Sequence, residues 1–96
     1  EKGRHAMRPQ HIVMYTRADC EDSDAARQFL IERHIPFEEV DIDQDQAALE
    51  FVKSVNEGKR RTPTFKVDGR TFHCSQFDPR KLVRELGLPD AAPTQR

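Results

Sequence analysis

The sequence predicts one α/β domain in which a four-stranded mixed sheet is flanked by three helices, in the order β-α-β-α-β-β-α. Three observations support this prediction. Short apolar runs alternate with helix-periodic segments in the first half of the chain. Asp68-Gly69 separates two short strands in the second half, a pattern typical of a tight hairpin. The chain has 96 residues, enough for a single modest core.

The first half of the domain is predicted to be a βαβ unit. His11–Thr16 is apolar at its centre, as expected of a strand that is covered on both faces. A helix over residues 22–34 follows, and Pro36 prevents it from continuing. Phe37–Ile42 reads as the second strand, which a right-handed crossover would place parallel to the first.

The second half is predicted to contain a helix and then a hairpin. Asp43 and Gln46 resemble a capping box, and the helix that follows would end where Gly58 adopts a left-handed conformation. The strands Thr64–Val67 and Arg70–His73 should pair with each other as an antiparallel hairpin.

The last helix completes the domain. Asp78-Pro79 supplies an N-cap and a first helical residue, and Gly87 ends the helix. We therefore expect the folded domain to cover residues 11–88. Residues 1–10 show no periodicity and are expected to be a disordered segment, partly of cloning origin, while 89–96 has the composition of a frayed tail.

Composition narrows the class of protein. The net charge of −1 argues against nucleic acid as the main partner, because binding to the phosphate backbone needs a basic excess. No apolar run approaches the roughly 20 residues that cross a bilayer, which argues against a membrane partner. Two cysteines are too few for a secreted disulfide scaffold. We expect a cytoplasmic protein, in which a cysteine is either a buried apolar residue or a working thiol.

Cys20 is the candidate nucleophile, because it lies on the turn between the first strand and the first helix. Free N–H groups and the helix dipole favour a thiolate at such a position. Ser23, one turn later, can bring its hydroxyl to the sulfur but cannot attack a disulfide. The carboxylates between Asp19 and Asp24 oppose ionisation, and an ordinary small residue that starts a helix is the alternative. These charges together predict a modest nucleophile.

Thr62-Pro63 is the second candidate feature. It precedes the third strand, and in this topology that turn comes close to the first βα turn. A cis bond would expose backbone groups to an extended peptide or a thiol ligand, although proline is also tolerated at the start of a strand. The basic run from Lys59 to Arg61 is either a solvated loop or a site for ligand carboxylates.

From about His11 to Leu88 the chain resembles the glutaredoxin branch of the thioredoxin-like superfamily. The residues that carry the resemblance are HIVMYT, TRADCEDS, IPFEEVDID, RRTPTF and DGRTF. The resemblance implies a thioredoxin-like (glutaredoxin) fold in which Cys20 is the catalytic nucleophile and Arg17 is a nearby supporting cation. It also implies a cis Pro63.

The resemblance extends to the residues that bind the ligand. It implies that the Thr62 backbone, beside Pro63, binds a low-molecular-weight thiol such as glutathione. Arg17 and Arg61 are the cations expected to contact that thiol or a peptide. Ser23 stands where most members have a second cysteine, as it does in the monothiol members of the family.

Three features depart from the usual family pattern, and Ser23 in place of the second cysteine is the first of them. Glu21-Asp22 replaces Gly-Phe in the first turn, and His73-Cys74 replaces Gly-Gly after the fourth strand. The following segment SQFDPRKL is more similar to that of the NrdH-type redoxins. Cys74 is either a small buried residue or a resolving thiol for Cys20. A zinc site is not expected, because there is no second ligand pair at zinc-like spacing.

The resemblance implies a monomeric, monothiol glutaredoxin-like oxidoreductase that acts on mixed disulfides of a low-molecular-weight thiol. Glutathione or a similar thiol would be the co-substrate, a protein disulfide or mixed disulfide the client, and no cofactor would be required. Two alternatives stay open. One is an iron–sulfur carrier or sensor, in which Cys20 from each of two subunits holds the cluster. The other is a redox-silent adaptor that binds a peptide strand at Thr62-Pro63.

Overall fold

A computed structural model describes residues 11–88, and the two terminal segments predicted at 1–10 and 89–96 lie outside the described residues. The predicted order of elements is confirmed. No helix within 11–88 has the length and apolar character needed to cross a membrane. The elements are β1 (Ile12–Thr16), α1 (Glu21–Glu32), β2 (Glu38–Asp41), α2 (Gln46–Val55), β3 (Thr64–Val67), β4 (Arg70–His73) and α3 (Pro79–Leu86).

The four strands form one mixed sheet, with β1 and β3 at its centre. The strand order is β2-β1-β3-β4. As predicted, β1 is parallel to β2, and β3 and β4 form an antiparallel hairpin. β1 is also antiparallel to β3, with Tyr15 aligned with Thr64. This pairing places the end of β1 beside the turn that leads into β3.

Both faces of the sheet are covered by helices. Side chains of neighbouring residues on a strand point to opposite faces. Met14 accordingly joins the main core with residues of α1 and α3, such as Leu30 and Leu82. Tyr15 packs against the smaller cluster that includes Val52 of α2. The continuous apolar run in β1 is explained by this double coverage.

α1 ends earlier than the sequence predicts. Its last residue is Glu32, and His34 adopts a left-handed conformation with φ of 58°. The N–H of Ile35 donates to the carbonyl of Leu30 at 3.0 Å, which satisfies one of the last carbonyls of the helix. A hydrogen-bonded turn therefore ends the helix before Pro36 is reached.

The predicted capping box at the start of α2 is wrong. The N-cap is Asp45, whose carboxylate accepts a hydrogen bond from the N–H of Ala48 at 3.0 Å. Asp43 lies in the preceding turn, where its N–H donates to the carboxylate of Asp41 at 2.8 Å. Asp45 takes the capping role because it has extended backbone immediately before the first helical residue.

The predicted hairpin turn and the predicted ends of α3 are confirmed. Asp68 and Gly69 have φ of 50° and 92°, as a tight two-residue hairpin requires. Asp78 caps α3, and Gly87 ends it in the left-handed region with φ of 66°. α2 ends earlier than predicted, because its last residue is Val55 and its C-cap is Asn56. Gly58 is left-handed, with φ of 82°, and lies two residues beyond the C-cap, where its N–H donates to the carbonyl of Lys53 at 2.7 Å.

Candidate active site

Cys20 is the N-cap of α1, and its own side chain caps the helix. The sulfur accepts a hydrogen bond from the N–H of Ser23, with a distance of 3.4 Å between sulfur and nitrogen. The side chain is only partly buried. An accessible sulfur thus lies at the positive end of the helix dipole, where a thiolate is stabilised.

Thr62 faces the sulfur from the neighbouring turn. Its Oγ1 lies 3.2 Å from Cys20 Sγ, and its carbonyl oxygen lies 3.8 Å from the same sulfur. The peptide bond from Thr62 to Pro63 is cis, and both residues are buried. The pairing of β1 with β3 brings the two turns together, so the two predicted features of the site meet at the sulfur.

The pKa of the Cys20 thiol lies below its ordinary value. Partial burial opposes ionisation and raises this pKa. The side chains of Ser23 and Thr62, and the backbone N–H groups of Ser23 and Asp22, stabilise the thiolate form and outweigh that effect. The hydrogen-bond donors at the start of the helix therefore make Cys20 a better nucleophile than an isolated cysteine near neutral pH.

Ser23 is completely buried directly beside the sulfur. Its hydroxyl oxygen has no hydrogen-bond partner within residues 11–88. A buried polar group without a partner costs roughly 1–3 kcal/mol. Ionisation of Cys20 creates an acceptor for that hydroxyl, so the cost is relieved in the thiolate form and the lower pKa is favoured.

We expect Ser23→Ala to raise the pKa of Cys20, because the variant lacks the hydroxyl that stabilises the thiolate. The fraction of thiolate at neutral pH then falls, and the pH–rate profile of exchange moves to higher pH. Ultraviolet absorbance of the thiolate, recorded against pH in a Cys74→Ala background, measures the shift. Ser54→Ala removes an exposed serine of α2 and is the control. An unchanged titration midpoint in Ser23→Ala would refute this role.

The sequence predicts that the acidic residues around Cys20 oppose its ionisation. In the structure, two of their carboxylates are bonded to other groups. Both carboxylate oxygens of Asp22 accept backbone hydrogen bonds from another loop, from Gln76 N–H at 3.0 Å and Phe77 N–H at 2.9 Å. Asp24 forms an ion pair with Arg27, with 2.7 Å between oxygen and nitrogen. No carboxylate is among the groups that shift the pKa of the cysteine. Asp22 and Asp24 thus have hydrogen-bond or ion-pair partners away from the sulfur, which the sequence pattern alone could not show.

The predicted cations occupy different places around the site. Arg17 lies in the turn between β1 and α1, and its guanidinium makes no hydrogen bond or ion pair with the described residues. Arg61 lines a polar surface cavity of about 240 Å³ together with Asn56 and His73. Burial lowers the pKa of His73, and the positive charges of Lys81 and Arg61 lower it further. Glu57 also lines this cavity, so the side of the site nearest α2 carries the charges of both Arg61 and Glu57.

Cys74 is a buried core residue. Its side chain is 1% exposed, and its sulfur contacts the carbonyl oxygen of Asp78 at 3.7 Å. Burial raises the pKa of this thiol. A protonated, enclosed thiol is a poor nucleophile. Of the two interpretations of Cys74, the structure favours the small buried residue over the resolving thiol.

Sequence reasoning missed a buried network that holds the turn before β3. The side-chain amide of Asn56 donates to Thr64 Oγ1 at 3.0 Å and to the carbonyl of Val52 at 2.8 Å. The Thr64 hydroxyl donates to the carbonyl of Arg61 at 2.6 Å. This network attaches the turn to the end of α2. No local signal marks these polar residues, because each has its role only through partners that folding brings together.

Comparisons with known proteins agree with this architecture. The profile of the family described as Glutaredoxin matches residues 12–72. A protein of Mycobacterium tuberculosis (strain ATCC 25618 / H37Rv) named as a glutaredoxin is 41% identical over 79 residues. That match covers 79% of this chain and 94% of the relative.

Solved structures show the same fold. The thioredoxin-like protein BC3987 superimposes with a TM-score of 0.65 at 29% identity, covering 78% of this chain and 97% of that protein. NrdH-redoxin from Escherichia coli, described as a glutaredoxin-like protein with a thioredoxin-like activity profile, gives 0.66 at 26% identity. This second match covers 77% of this chain and 92% of the other. The predicted fold is confirmed by these likenesses.

Proposed function

The chain belongs to the glutaredoxin family of thiol–disulfide oxidoreductases, and on that basis we propose that it is a monothiol member acting through Cys20. Its substrates are mixed disulfides of a low-molecular-weight thiol such as glutathione. One observation carries the proposal: a partly exposed sulfur with a lowered pKa faces the backbone of Thr62.

The proposed cycle has two exchange steps. The Cys20 thiolate attacks the low-molecular-weight sulfur of the mixed disulfide, the S–S bond breaks, and the client leaves as a thiolate that takes up a proton. The low-molecular-weight thiol is now joined to Cys20. A second molecule of the low-molecular-weight thiol, as its thiolate, then attacks the sulfur of the molecule that is bound to Cys20. The bond to Cys20 breaks, and Cys20 is released as a thiolate. The two small thiols leave as their disulfide and supply the two electrons.

The Thr62 backbone is the proposed binding edge for the thiol ligand. Its N–H has no backbone partner within residues 11–88, and its carbonyl contacts only the Cys20 thiol there, at 3.8 Å. Backbone groups of this kind need a partner, and an extended ligand can supply one by pairing as a short strand. Arg61, in the polar cavity next to this edge, is suited to a ligand carboxylate. Arg17, unpaired among the described residues, is the second proposed contact.

We expect Ser23→Cys to convert the protein into a dithiol enzyme, because a thiol one helical turn from Cys20 can resolve its mixed disulfide. Protein carrying glutathione on Cys20 is prepared, and release of glutathione is followed by mass spectrometry without added thiol. The wild type should keep its adduct, whereas Ser23→Cys should release glutathione and form an internal disulfide. Ser54→Cys, which adds an exposed thiol on α2, is the control.

The same experiment tests the monothiol assignment itself. Release of glutathione from the wild type would mean that Cys74 resolves the adduct after all, and the monothiol mechanism would be wrong. Retention of the adduct by Ser23→Cys would show that position 23 does not face the sulfur productively.

The proposed cycle also limits where the protein works. Cys20 must be kept reduced between turnovers, so we place the protein in the cytoplasm. We propose that it acts there as a monomer without a bound cofactor. Its clients would be proteins that carry a mixed disulfide.

A further inference from the structure

β2 is an edge strand, and one side of its backbone is open. In the sheet order β2-β1-β3-β4 it pairs only with β1. The N–H of Ile42, directly after β2, donates to the carbonyl of Thr16 at 2.8 Å. Because the backbone groups of successive strand residues point to opposite sides, the N–H groups of Glu39 and Asp41 face away from β1. An extended peptide can pair with backbone groups that are exposed in this way.

A cavity of about 300 Å³ lies next to this edge, on the face of the sheet that α2 covers. Its walls include the rings of Tyr15 and Phe51, whose centroids are 5.0 Å apart. Val40 of β2 also lines it, and Asp45 adds a carboxylate at the start of α2. Side chains that lie opposite each other on neighbouring strands are in contact. A strand added to β2 would therefore bring a side chain next to Val40, at the mouth of the cavity.

The edge and the cavity carry negative charge. Residues 38–45, with the sequence EEVDIDQD, contain five carboxylates and no lysine or arginine. Burial raises the pKa of Tyr15, and the charges of Asp45 and Glu38 raise it further, so these carboxylates act on the cavity. His11 lies 3.6 Å from Glu38 and is charged only when protonated. A cation bound between aromatic rings would be stabilised by the rings and by these carboxylates.

Two cations of the chain already contact this region. Arg27 forms two hydrogen bonds with Glu39 on the other face of the sheet, and Lys66 lies 5.7 Å from the ring centroid of Phe51. They offset part of the charge of the five carboxylates. A second copy of the chain is a poor occupant of this edge, because pairing of two β2 strands would bring the same carboxylates together.

We propose that the open edge of β2 and the adjoining cavity form a second binding site, the β2 edge site, which takes an extended basic segment of a client protein. The segment pairs with the backbone of Glu39 and Asp41, and one arginine or lysine side chain enters the cavity between Tyr15 and Phe51. β1 and β2 are parallel, so both strands end on the side of the sheet where Cys20 follows β1. The client role rests on the proposed function, whereas binding of the segment does not require Cys20.

A peptide that cannot exchange tests the site. A short peptide of alternating arginine and threonine places its arginines on one face of an added strand. During its titration into ¹⁵N-labelled Cys20→Ser protein, we expect saturable shifts of the Glu39 and Asp41 amides. The amides of the other edge strand, Arg70–His73, should not respond, because that strand carries a basic residue at the same kind of edge. Backbone N-methylation of the peptide should weaken binding at least about tenfold, since it removes the N–H donors.

Ala47→Arg places a cation on the cavity wall at an exposed position, so the fold should be kept. It should weaken binding of the arginine peptide at least about tenfold by occupancy and like-charge repulsion. Ile31→Arg adds the same charge on α1, where the side chain is 52% exposed, and should leave binding within about twofold of the parent. Circular dichroism checks the fold of both variants.

The site would be overturned by equal binding in Ala47→Arg and Ile31→Arg, or by the absence of shifts at Glu39 and Asp41. Binding that survives N-methylation, or a peptide with glutamate in place of arginine that binds as tightly, would also overturn it. Exchange activity of the wild type is measured separately. An active protein that does not bind the arginine peptide refutes only the β2 edge site, and an inactive protein that binds it refutes only the enzymatic proposal.

Discussion

Cys20→Ser is expected to abolish reduction of a glutathionylated peptide, lowering kcat/KM by at least about a thousandfold. A serine hydroxyl is not ionised near neutral pH, so the hydrogen bonds at the helix start that stabilise the Cys20 thiolate have no anion to stabilise. The other cysteine of the described chain is buried and cannot substitute for it. The measurement is steady-state turnover with glutathione as the reductant, with circular dichroism as the check on folding.

Cys74→Ala is the matched control for that experiment. It removes the second thiol from a site that is 1% exposed, so activity per folded molecule should stay near the wild-type level. Any loss should appear in stability, because the substitution leaves a small cavity in the core. Turnover that survives in Cys20→Ser, or disappears in Cys74→Ala with the fold intact, would contradict the assignment of the nucleophile.

Thr64→Val is expected to lower the free energy of unfolding by about 2–4 kcal/mol. Valine has nearly the same shape, so no cavity forms at this fully buried position. The change leaves one amide hydrogen of Asn56 and the carbonyl of Arg61 without the partner that Thr64 provides. Small domains are stable by only about 5–15 kcal/mol, so the loss is large. Urea denaturation followed by circular dichroism measures it.

Thr71→Val separates this effect from the general consequence of replacing a threonine in a strand. Thr71 is exposed on β4, and its substitution should change the free energy of unfolding by no more than about 0.5 kcal/mol. Thr64→Val should also reduce kcat/KM, since the turn that it holds carries Thr62 to the sulfur. Equal destabilisation by the two variants would mean that the buried network contributes nothing specific.

Two features of the site act in opposite directions on the ionisation of Cys20. A helix start favours the thiolate of Cys20, whereas the carboxylates around it oppose ionisation. The structure separates these influences in space, because Asp22 is bonded to another loop and Asp24 to Arg27. Two of the four carboxylates that flank the thiol are therefore directed at partners other than the sulfur.

Local chemistry was enough to predict the order of elements and the position of the candidate nucleophile. Asp68-Gly69 predicts a tight turn, and Asp78 with Gly87 marks the two ends of α3, whatever the rest of the chain does. Cys20 is placed at a helix start by the same kind of short-range pattern. Where neighbouring residues compete for one local role, as Asp43 and Asp45 did for the cap of α2, pattern alone chose wrongly.

Contacts between segments that are distant along the chain were decided only by the tertiary structure. Asp22 meets Gln76 across 54 positions, and Cys20 meets Thr62 across 42. The burial of Cys74 likewise depends on helices packed over the end of β4. The sequence by itself determined which elements form and which sulfur is placed to react. The packing of the sheet and helices decided which charges that sulfur meets, because hydrogen bonds and burial depend on distances that only the folded chain sets.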